Sequence, residues 1–176
     1  MEYAEIEAGQ AYELQNPGGL VLVCTKGADG RYDLSPVAWC CPLDYAPTSR
    51  ILLVLDTGHR VYEDLSESGE FALALPTAEQ VDLVMRTGAA SGRDQDKYET
   101  CGIKAFAAGR VDARIPEGVA GWLECRLLRV VVEGTSAVVM GEVLRAAAAP
   151  EAWKSRLHFV REGILYAPGP ALSEPR

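Results

Sequence analysis

Two β-rich runs, Trp122 to Val132 and Ala137 to Leu144, meet at the turn-forming Glu133-Gly134-Thr135-Ser136, and this predicts a long antiparallel hairpin. The remaining apolar runs are short and bounded by turn residues. After the turn signal Asn16-Pro17-Gly18-Gly19, Leu20 to Thr25 reads as a buried strand that enters a hairpin at Gly27-Ala28-Asp29-Gly30. The return segment, Arg31 to Cys41, contains Pro36. Proline cannot donate to a ladder, so it belongs at an edge or a bulge, where neighbouring backbone groups are free to face a ligand. Arg50 to Asp56 (RILLVLD) is continuous rather than alternating, as in a strand buried on both faces, whereas Glu70 to Leu75 alternates. A last strand pair is expected from Leu157 to Tyr166 around Glu162-Gly163.

Helical signals are fewer. Val61 and Leu65, four apart, with Gly69 at the C-terminal cap position, predict a short helix over Arg60 to Ser68. Thr77-Ala78-Glu79-Gln80 has capping-box spacing and opens a helix to about Arg86, with Gly88 closing it. The segment Ala89 to Cys101 (AASGRDQDKYETC) reads as a surface loop with one helical turn. About seven short strands with so few short helices predict a mainly β fold, an antiparallel barrel rather than a doubly wound sheet. Strand counting leaves several barrels open.

The length of 176 residues fits a single domain spanning residues 1–176. With 17 Lys and Arg against 25 Asp and Glu, the net charge of −8 argues against nucleic acid and anionic membranes as partners. No apolar stretch approaches the ~18 residues of a membrane span, and the start, MEYAEIEAGQ, does not read as a signal peptide. Five cysteines, an odd number without C-x-x-C spacing, point to reduced thiols and a cytoplasmic protein. There is no dinucleotide fingerprint, phosphate loop, H-E-x-x-H or G-x-S-x-G, and His59 and His158 lack ligand spacing, so no metal site is expected.

Five segments carry more, taken in order: NPGGLVLVCTKGADGRYDLSPVAW, DYAPTSRILLVLDTGHRVYEDLSESGEFALALPT, SGRDQDKYETCGI, WLECRLLRVVVEG and GEV. Their succession resembles the flavin reductase-like family with an FMN-binding split barrel, in its flavoredoxin-like branch, over about Gly19 to Val143. The resemblance implies a homodimer of antiparallel split β-barrels, each binding FMN near the dimer interface, with NADH or NADPH as electron donor. A flavin-dependent oxygenase or another acceptor would take the electrons.

The same resemblance assigns the site residue by residue. Asp33, where the family usually has Asn, begins a strand through Leu34, Ser35, Pro36 and Trp39 that would run beside the flavin ring and ribityl chain. Ser35 offers a hydroxyl, and Trp39 is either a stacking surface for the ring or a core aromatic. Arg60-Val61-Tyr62 stands where Arg-Thr-Tyr commonly opens a helix, making Arg60 the candidate phosphate cation at a helix N-terminus. Val61 replaces a hydroxyl and Asp64 an Asn; both weaken an anion site, and Arg60 has the i,i+4 alternative of pairing with Asp64. Ser91 to Tyr98 matches S-G-x-x-x-D-K-[FY], placing Lys97 and Arg93 as local cations, with surface pairing of Lys97 to Asp94 or Asp96 as the alternative.

An NAD(P)H-dependent flavin reductase passing hydride from nicotinamide to flavin N5 is the function implied, and it needs no acid/base pair from the protein. The second reading is a flavin-bound electron carrier reduced by a protein partner. Two further readings are thiol chemistry at Cys40-Cys41 and a barrel that has exchanged flavin for another ligand.

Overall fold

In a computed structural model the structure describes residues 18–169, so the chain start and the Asn16-Pro17 half of the first turn signal lie outside the described residues. Strands β1 (Gly18–Gly19), β2 (Val21–Lys26), β3 (Tyr32–Val37), β4 (Cys40–Asp44) and β5 (Arg50–Asp56) lead into helix α1 (Arg60–Ser68). Strand β6 (Glu70–Leu75), helix α2 (Val81–Ala89), the single turn α3 (Lys97–Thr100) and the small pair β7 (Ala105–Ala107) and β8 (Arg114–Pro116) follow. The long hairpin is β9 (Gly121–Glu133) with β10 (Ser136–Ala148), and β11 (His158–Arg161) and β12 (Ile164–Tyr166) form the last pair.

Seven strands pair in the order β3-β2-β6-β9-β10-β5-β4, every pair antiparallel. The two edges, β3 and β4, are consecutive in the chain. Two linking residues, Ala38 and Trp39, span at most about 11 Å from Val37 to Cys40, whereas six strand spacings in a flat sheet measure about 29 Å. The sheet must therefore curl until its edges nearly meet. They do not pair with each other, which makes it a split barrel. The hairpin supplies the bend: the β9–β10 register shifts between Met140 and Gly141 and between Val143 and Arg145. A Cβ at Gly141 would stand 2.6 Å from Phe71 Cζ, so the bent strand can close over this buried ring only as glycine.

The core lies on both faces of β2 and β6. Val21 and Val23 join Leu53, Leu65, Phe71 and Val139 in one cluster; Leu22 and Cys24 join Leu34, Ala72, Val84 and Ile115 in the other. Strand β5 differs from its predicted burial on both faces: Ile51, Leu53 and Leu55 are buried, but Leu52 and Val54 are only half-buried. The reason is alternation: Ile51, Leu53 and Leu55 face the core cluster, and Leu52 and Val54 face the other side of the sheet. Helix α2 also departs from expectation, running through Gly88 to end at Ala89. Gly88 serves packing there, since a Cβ would come within 3.2 Å of Pro36 Cγ. The capping box of Thr77 and Gln80 is present. Among the described residues no helix is long and apolar enough to cross a membrane.

Candidate functional site

A cleft of about 820 Å³ opens at the split, between β3 and β5, and is large enough for a cofactor-sized ligand. One wall is β3 with its exit, Ser35 to Trp39; the other is Val54 to Asp56 on β5. Helix α1 presents its N-terminal end through His59 and Val61, α2 contributes Met85 and Gly88, and the last strand pair contributes Phe159 and Glu162. Because β3 is an edge, its outer backbone groups have no strand partner. The Leu34 carbonyl on that open side accepts a hydrogen bond from Lys97 Nζ at 2.8 Å. By strand alternation the Pro36 carbonyl faces the same side, and proline at this register costs no ladder bond.

The residues predicted from sequence divide into a lining and a foundation. Ser35, Pro36, Trp39 and Val61 line the cleft. Trp39 is 50% exposed, which excludes the core-aromatic reading. Leu34 is wholly buried and contributes only its carbonyl. Beneath the lining, Lys97 Nζ lies 3.2 Å from Asp33 Oδ1 and 3.2 Å from Ser35 Oγ. The partner of Lys97 is thus Asp33, not Asp94 or Asp96 as the surface alternative had it. A hydroxyl that accepts from Lys97 still has its own proton to donate to a ligand.

Arg60 is also buried and bonded within the protein. Nη2 donates to Asp29 Oδ1 at 2.7 Å, Nη1 to the Gly92 carbonyl at 2.7 Å and Nε to Asp64 Oδ2 at 3.3 Å. Thr25 Oγ1 donates to the same Asp64 oxygen at 3.1 Å. Burial alone would lower the Arg60 pKa, but Asp29 and Asp64 outweigh it and raise the value. Arg60 in turn holds the Asp29 carboxyl well below the usual range, while burial pushes Asp64 up against the pull of Arg60. Glycines make this arrangement possible. A Cβ on Gly27 would stand 2.4 Å from Arg60 Nη2, and one on Gly92 2.5 Å from Asp33 Cγ. Arg93 lies at the rim with its side chain half exposed, donating to the Gly58 carbonyl and pairing with Glu63 at 3.1 Å.

The titratable residues of the lining are Asp56, His59 and Glu162, none of them singled out from sequence. Asp56 Oδ1 accepts from Gly58 N at 2.7 Å, shaping the turn before α1. Glu162 comes from 106 residues beyond Asp56, a separation that no local pattern spans. Cys40 donates to the Gly19 carbonyl at 3.2 Å, and burial pushes its thiol up to about 11; Cys41 is exposed on the opposite face of β4. Among the described residues no cluster of three His, Cys, Asp or Glu is placed to hold a metal ion.

An apolar cleft with an exposed indole, an open strand edge and a hydroxyl suits a flat heteroaromatic ring carrying a polyol chain, as in a flavin. The N-terminal end of α1 offers partial positive charge to an anionic tail, whereas Arg60, Lys97 and Arg93 each face a carboxylate of the protein.

Residues 14–166 match the model of the flavin reductase like domain. The chain is 30% identical over 153 residues to the uncharacterized protein YddH of Escherichia coli K12, covering 83% of this chain and 78% of that one. Among solved structures it resembles the FMN-binding domain of a flavin reductases-like enzyme from Shewanella baltica, with TM-score 0.76 and 30% identity over 98% and 97% of the two chains. Flavoredoxin of Desulfovibrio vulgaris gives TM-score 0.84 at 21% identity over 99% and 97%. An NADH:FAD oxidoreductase of Streptomyces globisporus gives 0.81 at 16% identity over 97% and 100%.

Proposed function

Since this chain belongs to the flavin reductase-like domain family, we propose that it is an NAD(P)H-dependent flavin reductase, taking hydride from NADH or NADPH to the N5 position of a bound flavin such as FMN. The observation that carries this reading is the cleft at the split, walled by the open edge of β3 and overlooked by the exposed Trp39. The names of the Shewanella baltica and Streptomyces globisporus neighbours, one FMN-binding and one an NADH:FAD oxidoreductase, support it.

The hydride chemistry belongs to flavin and nicotinamide; the chain binds and orients them. Trp39 offers a face to the ring, and the Ser35 hydroxyl and the Pro36 carbonyl offer partners to polar ring and ribityl groups. Lys97 holds that strand from below through Leu34 and Ser35. Gly88 lets α2 approach Pro36 and form the third side. We further propose that the working unit is a homodimer, located in the cytoplasm, whose reduced flavin passes electrons to a flavin-dependent oxygenase or a comparable acceptor.

Titration with FMN, followed by flavin fluorescence, tests binding; NADH or NADPH added in air, followed at the nicotinamide absorbance band, tests turnover. Saturable quenching with turnover is expected. Binding without oxidation of either nicotinamide would replace the reductase by an electron carrier reduced through a protein partner, and absence of flavin binding would reject both.

A further inference from the structure

We propose that the cleft selects a flavin by its ring and ribityl chain and takes little from the terminal phosphate, so that riboflavin binds about as well as FMN. The proposal rests on the flavin reading above and narrows it.

Recognition of a phosphate dianion normally requires cations whose charge is not already spent. The three cations singled out from sequence near this cleft each face a carboxylate of the protein. Arg60 faces two carboxylates, Asp29 and Asp64, and a third of its N–H groups donates to the Gly92 carbonyl. Moving it toward a ligand would leave Asp64, itself buried, without its counter-charge. Lys97 is 3% exposed and is held by Asp33, the Leu34 carbonyl and Ser35. Arg93 is matched by Glu63 at the start of α1, so approach of an anion there also meets a carboxylate.

The lining points the same way. Among the described residues no Lys or Arg side chain lines the cleft, while Asp56 and Glu162 do, with His59 as the one group able to carry positive charge. At the first turn of α1, Val61 supplies no hydroxyl. Among the described residues the partial charge of the helix end is therefore joined in the lining only by His59, inside a chain of net charge −8. By contrast, the exposed Trp39, the Ser35 hydroxyl and the open edge of β3 suit a ring and a polyol.

The test uses the whole chain, titrated in parallel with riboflavin and FMN by flavin fluorescence at neutral pH, with sodium chloride at a low and a tenfold higher concentration. The expected result is dissociation constants within threefold of each other and an FMN affinity that changes less than threefold with salt. FMN binding more than threefold tighter than riboflavin, or weakening more than threefold with salt, would overturn the proposal while leaving a flavin site in place. Failure of both flavins to bind would instead remove the functional reading on which it rests.

Discussion

Lys97 and Asp33 form an ion pair at 3.2 Å with side chains only 3% and 2% exposed, linking the single turn α3 to the strand that walls the cleft. Removing one member of a buried pair strands the other charge, at about 3–5 kcal/mol. Lys97→Met should therefore lower unfolding free energy by about that amount in chemical denaturation, and Asp33→Asn in the same background should recover part of it. A single variant as stable as the parent would show that the pair has no structural role.

Gly92→Ala should cost about 1–3 kcal/mol, because the added Cβ would come within 2.5 Å of the Asp33 carboxylate, which Lys97 holds in place. Gly19→Ala, with open space around its Cβ, is the control and should leave the denaturation midpoint unchanged.

Trp39 is half exposed at the cleft, so Trp39→Ala should leave stability within about 0.5 kcal/mol. Loss of an aromatic contact worth about 0.5–1.5 kcal/mol should weaken flavin binding roughly two- to tenfold. Flavin affinity equal to that of the parent would place the ring elsewhere in the cleft.

Glu124 is a wholly buried carboxylate that accepts from Gly109 N, Arg110 N, Trp122 Nε1 and Arg145 Nη1. Burial, which opposes ionisation, is outweighed by the Trp122 and backbone hydrogen bonds, so its pKa is lowered from the ordinary 4.5. A carboxyl with a depressed folded-state pKa stabilises fully above its unfolded value and loses that contribution as pH falls through the folded value. The stability advantage of the parent over Glu124→Gln should accordingly be constant from pH 7 to about pH 5 and shrink below about pH 4.5. Denaturation midpoints across this range check the slope.

Replacing Cys40 and Cys41 together by alanine should leave flavin binding and nicotinamide oxidation within about twofold of the parent, since Cys40 is protonated at neutral pH with its thiol near 11. A tenfold loss of turnover with intact binding would restore the thiol reading.

The sequence by itself determined most of the strand and helix order, though not β4, β7 or β8, because local rules govern it: Pro36 on an edge strand, Gly69 closing α1 and Gly134 turning the long hairpin are each readable within a few residues. It also singled out Ser35, Pro36, Trp39 and Val61, which line the cleft. What only the tertiary structure decided is where charge goes. Arg60, Lys97 and Arg93 read as cations open to a ligand, yet in the fold their nearest partners are the carboxylates of Asp29, Asp64, Asp33 and Glu63. Ion pairing depends on distance in space, and except for Arg60 with Asp64, each of these pairs joins residues about 30 or more positions apart. The same reason hid Glu162 and Gly88, which reach the cleft only when the barrel curls and leaves β3 unpaired on its outer side.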